Sequence, residues 1–157
     1  MFADRAREDQ GKLARMYEIA RVLDPAPFFH LLKPPFELRP FMLELKSRYR
    51  LALATNRSAT VPALVEHLKL AGIFDAIASA RDQVRPKPAP DILKLCLERA
   101  GVAGERAIYV GDSLVDREAA EGAGVDFIAV GRRVEHSTQI ASLEELPAAL
   151  ERLAMAR

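Results

Sequence analysis

The sequence predicts an α/β fold, a three-layer sandwich in which helices cover both faces of a mostly parallel sheet, with a helical segment before it. Short, continuously apolar runs, which are typical of buried parallel strands, alternate with longer runs of helical periodicity. Gly72 and Gly101 stand where two of the helical runs can end. Because crossovers between parallel strands are right-handed, these units are expected to build one sheet.

The repeating pattern begins near Phe41, after a stretch rich in Pro and Phe that separates it from a helix predicted over 4–23. The predicted strands are 50–56, 74–80, 107–111 and 126–131. The predicted helices are 41–49, 59–72, 91–100, 114–124 and one in the tail after Ser142, with Pro147 in its first turn. Thr60 is predicted to cap the second of these, and 131–140 is predicted to be a loop.

Composition excludes several classes of protein. The 157 residues carry 23 Lys and Arg against 22 Asp and Glu, so no basic surface argues for nucleic acid or an anionic membrane. No apolar run reaches transmembrane length, and the charged start is unlike a signal peptide. The single cysteine, Cys96, cannot form an internal disulfide, which suits a reducing cytoplasm. We therefore expect a soluble cytoplasmic domain.

Polar residues follow two strands and a stiff loop. The first strand ends at Thr55 and Asn56, whose hydroxyl, amide and following backbone N–H groups could bind a phosphate. Lys87 lies among prolines in RPKPAPD, which hold the backbone and aim the ammonium group at low entropic cost. Each pattern alone also fits a simpler explanation, namely a strand end with a helix cap and a solvated loop lysine.

Two aspartates follow the third strand. In GDSLVD, Asp112 stands at the entry to a helix and Asp116 one turn further on, so that their carboxylates can converge. Like charges held together are unfavourable unless a cation bridges them, and Mg2+ prefers such oxygen ligands. The simpler alternative is a capping aspartate followed by one that the helix dipole favours.

Taken in chain order, ATN, the lysine in RPKPAPD and GDSLVD resemble the haloacid dehalogenase (HAD) superfamily, closest to its phosphoglycolate-phosphatase-like branch. The resemblance covers about three quarters of the chain, from near Phe36 onward, and implies a Rossmann-like sandwich. It implies that Thr55 and Asn56 bind phosphate, that Lys87 balances the charge of nucleophile and phosphate, and that Asp112 and Asp116 hold Mg2+.

One motif of the family has no counterpart in the sequence. Such enzymes attack phosphate with an aspartate in a DxDxT-type motif after an amino-terminal apolar strand, whereas MFADRARED has Asp4 and Asp9 without that spacing or strand. The resemblance divides the chain into 1–35, the end of a helical cap, and 36–157, a core lacking its first strand. That strand is central in the family's sheet, so its loss is expected to leave a gap or an unusual strand pairing.

These observations favour a Mg2+-dependent HAD phosphohydrolase acting on a small phosphorylated metabolite, impaired because the nucleophile is absent. The alternative is a non-catalytic, HAD-like module that binds phosphate or a protein partner. A third option is self-association that completes the sheet.

Overall fold

The computed structural model describes residues 26–57 and 59–155, so the helix predicted over 4–23 lies outside the described residues. Five α-helices alternate with the strands: α1 (Leu38–Arg48), α2 (Val61–His67), α3 (Asp91–Ala100), α4 (Leu114–Ala123) and α5 (Leu146–Met155). Short 3-10 helices lie at Ala26–Leu31, Ala80–Asp82, Gly104–Arg106 and Leu143–Glu145. None of the described helices is long and apolar enough to cross a bilayer.

Two parallel sheets form the centre of the molecule. In the first sheet, β1 (Ala52–Thr55) pairs with β2 (Ala76–Ser79). In the second, β4 (Asp126–Val130) lies between β3 (Ile108–Gly111) and β5 (Gln139–Ile140). Over the described ranges no strand ladder joins β1 to β3. The described strands therefore form two separate sheets, and the unusual direct pairing of β1 with β3 is not found among them.

Helices cover both sides of the sheets, as a three-layer sandwich requires. On one side, α1 and α5 pack on alternate residues of β4 and β5 through Leu45, Ile128, Ile140 and Leu146. On the other side, α3 and α4 pack on the remaining residues through Leu93, Ala119, Phe127 and Ala129. Phe127 and Ala129 face one helical layer and Ile128 faces the other. Successive residues of a strand point to opposite sides, so β4 is buried on both faces. This arrangement confirms the α/β fold class.

Most boundaries agree with the sequence prediction, and the exceptions have local causes. Helix α3 has the predicted bounds and ends at Gly101, which adopts a left-handed φ of 63°. Helix α2 ends at His67 and not at Gly72, because Lys69 already turns the chain with a φ of 57°. Thr60 occupies the N-cap position of α2 as predicted, but its side chain makes no capping hydrogen bond.

The interval 131–140 is a loop for most of its length, as predicted, but its last two residues form β5. Strand β5 is only two residues long, and its pairing with Ala129 and Val130 is a tertiary contact that a two-residue pattern cannot reveal.

Before α1, the buried ring of Phe29 lies 5.9 Å from the His67 ring. The division into a cap of 1–35 and a core of 36–157 stays a prediction.

Candidate active site

A buried ion pair joins the two sheets at the carboxyl ends of their strands. The ammonium Nζ of Lys87 lies 2.6 Å from the carboxylate Oδ1 of Asp116, and both side chains are about one tenth exposed. Lys87 Nζ also donates to the phenol oxygen of Tyr109 at 2.7 Å and approaches the carbonyl oxygen of Ala54 at 3.3 Å. Lys87 thus contacts β1 of one sheet and β3 of the other.

Asn56 holds the backbone of Lys87. Its Oδ1 accepts from the Lys87 N–H at 2.8 Å, and its Nδ2 donates to the Lys87 carbonyl oxygen at 3.0 Å. The loop that carries Lys87 is therefore tied directly to the end of β1, and its peptide bond to Pro88 is cis. The sequence argument relied on the prolines to hold this loop, and the structure adds two hydrogen bonds from the amide of Asn56 that fix its position. A role for Asn56 in phosphate binding stays a prediction.

The carboxylate of Asp116 is enclosed by donors. Besides Lys87, the phenol O–H of Tyr109 donates to Oδ1 at 3.0 Å, and the hydroxyl of Ser113 donates to Oδ2. Ser113 is also the cap of α4, where its side chain accepts from the backbone N–H of Asp116. The simpler alternative drawn from the sequence, in which Asp112 caps the helix, is wrong, because the cap of α4 is Ser113.

Gly111 makes room for Asp116. A Cβ placed on Gly111 would lie 2.6 Å from Cβ and 2.8 Å from Cγ of Asp116, closer than real side-chain atoms approach. The requirement for glycine at the end of β3 therefore arises from this packing.

The surroundings shift two pKa values in the cluster. Burial raises the pKa of the Asp116 carboxyl, but hydrogen bonds from Lys87 and Ser113 outweigh it, and the pKa lies below its ordinary value. Burial, followed by the negative charge of Asp116, raises the pKa of the Tyr109 phenol well above its ordinary value. Asp116 is consequently ionised and Tyr109 is a neutral donor at physiological pH.

Asp112 faces solvent, away from this buried cluster. Its side chain is 60% exposed, and its Oδ2 lies 3.3 Å from Nη1 of Arg133, which is itself 83% exposed. The two aspartates thus have separate protein cations, Lys87 for Asp116 and Arg133 for Asp112. Among the residues that the structure describes, no three His, Cys, Asp or Glu side chains stand close enough together to hold a metal ion.

Thr55 ends β1 next to Asn56. Its Oγ1 accepts from the backbone N–H of Arg57 at 3.1 Å, which leaves the hydroxyl hydrogen available for donation. Of the five residues singled out from the sequence, the structure thus brings Asn56, Lys87 and Asp116 into one network, with Thr55 beside it and Asp112 at its rim. Tyr109 was missed because a tyrosine inside an apolar strand gives no sign that its hydroxyl meets a lysine.

This fold, with charged side chains gathered where parallel strands end, is that of an α/β protein whose ligand site lies at the carboxyl edge of its sheet. The sequence profile of the haloacid dehalogenase-like hydrolases matches residues 6–130, most of the chain. The chain therefore belongs to the haloacid dehalogenase-like hydrolase family.

Individual relatives agree with this assignment. A probable phosphoglycolate phosphatase of Pseudomonas savastanoi is 36% identical over 104 residues, which are 66% of this chain and 64% of that protein. The crystal structure of a HAD-superfamily hydrolase, subfamily IA, of Geobacter sulfurreducens superposes with a TM-score of 0.74 at 30% identity, covering 82% of this chain and 61% of that one. CbbY of Rhodobacter sphaeroides, solved in complex with xylulose-(1,5)bisphosphate, gives a TM-score of 0.60 at 34% identity, over 71% and 56% of the two chains. The chain spans less than two thirds of the length of each of these relatives.

The two aspartates are expected to differ sharply in their effect on stability. Asp116→Asn leaves the buried ammonium of Lys87 without its counter-ion and should lower the free energy of unfolding by about 3 kcal/mol. Asp112→Asn, the matched control four residues earlier in the chain, should change it by about 0.5 kcal/mol at most, because its ion pair is exposed. Urea unfolding at pH 7 measures both, and equal losses would show that the buried pair has no special role.

Proposed function

We propose that this chain is a Mg2+-dependent phosphohydrolase of HAD type that acts on a small phosphomonoester, and that residues 1–157 alone turn it over poorly. The observation that supports the proposal most strongly is the buried Lys87 ammonium, held at the carboxyl edge between the ends of β1 and β3. A fixed cation at that edge can stabilise negative charge on a phosphoryl group without reorganising.

Four side chains would act on the phosphoryl group or support those that do. The hydroxyl of Thr55 would donate to a phosphate oxygen, as its remaining hydrogen allows. Lys87 would offset the phosphate charge, and Asn56 would keep Lys87 in place through its two backbone bonds. Asp116 would orient the ammonium group of Lys87 and keep that side chain from turning outward into solvent.

The carboxylates fit Mg2+ in kind, because that ion prefers oxygen ligands and keeps much of its water. Asp112 would be the principal protein ligand, since its exposed carboxylate has only a weak partner in Arg133. Asp116 would support the ion less than the sequence suggested, because both of its oxygens already accept hydrogen bonds. Bound by these carboxylates, Mg2+ would supply positive charge that helps to offset the negative charge of the phosphoryl group.

The substrate is proposed only as a class. The Pseudomonas relative is named a probable phosphoglycolate phosphatase, and the Rhodobacter relative was solved with a sugar bisphosphate. Both ligands are small phosphorylated metabolites, and we propose the same class for this chain. A cytoplasmic location, in keeping with the single Cys96, is part of this proposal.

The impairment follows from the absence of a nucleophile in the cluster. Among the described residues, Asp116 is the carboxylate bonded to Lys87, and its oxygens are held by three donors. A carboxylate bound in this way is a poor nucleophile, because attack would require it to give up those bonds. Phosphate binding without turnover, the alternative of a non-catalytic module, would follow from the same feature.

Magnesium binding should be weak and should depend on Asp112. Titration of Mg2+ into the wild type, followed by the backbone NMR shifts of residues 111–116, is expected to show fast exchange and millimolar affinity. Asp112→Asn should abolish the shifts, whereas Arg133→Ala, which removes the competing cation, should leave or strengthen them. Identical responses of wild type and Asp112→Asn would contradict the proposed metal site.

Turnover should require a nucleophile from outside residues 1–157. With p-nitrophenyl phosphate and Mg2+, the 157-residue chain is expected to be at least about a thousandfold slower than a version extended before Met1 by a DxD segment of the family. Lys87→Met and Asp112→Asn should each remove the activity of the extended version. Strong turnover by the short chain, abolished by Asp112→Asn, would reveal a nucleophile within the 157 residues, and Asp4 would be the first to mutate. A folded extended version without activity would contradict the proposed function.

A further inference from the structure

The loop between β4 and β5, residues 131–138, begins and ends at fixed points of the second sheet. The backbone N–H of Ala129 donates to the Thr138 carbonyl oxygen at 3.0 Å, and that of Gly131 donates to the Ile140 carbonyl oxygen at 2.9 Å. Because the loop follows the carboxyl end of β4, it lies at the edge of the sheet that carries the buried ion pair.

Three contacts hold the middle of this loop. Val134 is buried in the core cluster that also contains Phe127. The His136 ring packs edge-on against the Phe127 ring, with 5.3 Å between the ring centroids. Nη1 of Arg117 in α4 donates to the carbonyl oxygen of Glu135 at 3.3 Å. A loop held in this way has few alternative conformations, so a side chain that it exposes is presented in a defined place.

The side chain that this loop presents to the site is that of Arg133, directly before the buried Val134. Its Nη1 lies 3.3 Å from Oδ2 of Asp112, and 83% of the side chain is exposed. A guanidinium group carries several N–H donors in one plane, and a charge-assisted hydrogen bond in good geometry is about 2.8 Å long. The contact with Asp112 is longer than that and engages one nitrogen, so Arg133 can bind an anion in addition.

The strand pairing brings this loop beside the site. Strands β3 and β4 are parallel neighbours, with Gly111 opposite Ala129. Neighbouring strands lie about 4.8 Å apart, so the segments that leave them begin side by side. Asp112 directly follows Gly111, and Arg133 follows four residues after Ala129. A phosphomonoester whose phosphoryl group lies beside Asp112 would therefore have Arg133 within reach of the rest of the molecule.

The charges of the site favour an additional anion at this point once Mg2+ is bound. The buried charges of Lys87 and Asp116 balance each other, and at the rim Asp112 balances Arg133. Mg2+ bound by Asp112, as proposed above, would occupy that carboxylate and leave Arg133 without its partner. An anionic group of the ligand would then restore the balance, so Mg2+ and an anionic ligand would favour each other's binding.

We propose that Arg133 is a subsite for a second, non-reacting anionic group on the phosphomonoester. The planar guanidinium fits either a carboxylate or a further phosphate, because both can accept parallel N–H bonds from it. The inference rests on the proposed function and narrows its substrate class, from any small phosphomonoester to those that carry another negative charge. Arg133, and not the neighbouring Arg132, is the residue in contact with Asp112, so Arg132 offers a matched control.

Two pairs of phosphomonoesters test the subsite. Phospholactate has a carboxylate where isopropyl phosphate has a methyl group, and propane-1,3-diol bisphosphate has a phosphate where 3-hydroxypropyl phosphate has a hydroxyl group. Each is titrated into the 157-residue chain at saturating Mg2+, and the backbone NMR shifts of 111–116 and 131–135 report binding. In at least one pair the more highly charged ester is expected to bind about fivefold more tightly, the upper value for an exposed charged contact.

Two substitutions assign this preference to its residue. Arg133→Gln keeps a polar side chain but removes the charge, and it should reduce the preference to less than about twofold while the affinity of the neutral partner changes as little. Arg132→Gln removes the same charge from the adjacent exposed residue and should keep the preference of the wild type. Both variants are measured at a Mg2+ concentration that saturates them, because Arg133 and Mg2+ compete for Asp112.

Other outcomes would overturn the proposal. Equal affinities within both pairs in the wild type would show that the site has no second anion subsite. A preference that persists in Arg133→Gln would assign the second anion to another cation, and a preference lost equally in Arg132→Gln would show a general effect of surface charge. Neutral esters that bind without any such preference would leave the proposed function intact, whereas failure of all four esters to bind would overturn both proposals.

Discussion

The ion pair between Lys87 and Asp116 is the interaction on which the carboxyl edge of this protein depends. The described strands form two separate sheets, and over the described ranges no backbone ladder connects them. At that edge they are connected by the Lys87 side chain, which contacts the Ala54 carbonyl of one sheet and Tyr109 and Asp116 on the other side. At this edge the contacts of a charged side chain connect the two sheets, whereas backbone pairing connects the strands within each sheet.

Several local features follow from this constraint. A buried charge is tolerated only when its partner and its remaining donors are satisfied, and the Lys87 ammonium has three acceptors. Gly111 lacks a side chain because Asp116 occupies that space, and the Asn56 amide fixes the loop from which Lys87 extends. The same constraint gives the two aspartates different environments. Asp116 is buried in its ion pair with Lys87, whereas Asp112 lies at the surface beside Arg133.

The sequence predicted the elements of the fold better than the contacts of the site. Helix α3 was predicted to the residue, because Gly101 marks its end and prolines precede its start, and both are local signals. The strand ends were also predicted, and with them the edge at which polar residues gather. What a single sequence could not show is which carboxylate Lys87 would meet, since both aspartates follow β3 and only the folded structure shows that Asp116 packs against Gly111 and contacts Lys87. The roles of Tyr109 and of β5 likewise depend on contacts between residues distant in the chain.

A double-mutant cycle on the ion pair tests this account most directly. Lys87→Met, Asp116→Asn and the double variant are compared with the wild type by urea unfolding at pH 7, and the coupling energy is the non-additive part of the three changes. We predict a coupling of at least about 2 kcal/mol, with the double variant more stable than the sum of the single losses implies, because each single change leaves a buried group without its partner. A coupling below about 0.5 kcal/mol, the value of an exposed pair, would contradict the claim that this pair holds the carboxyl edge together.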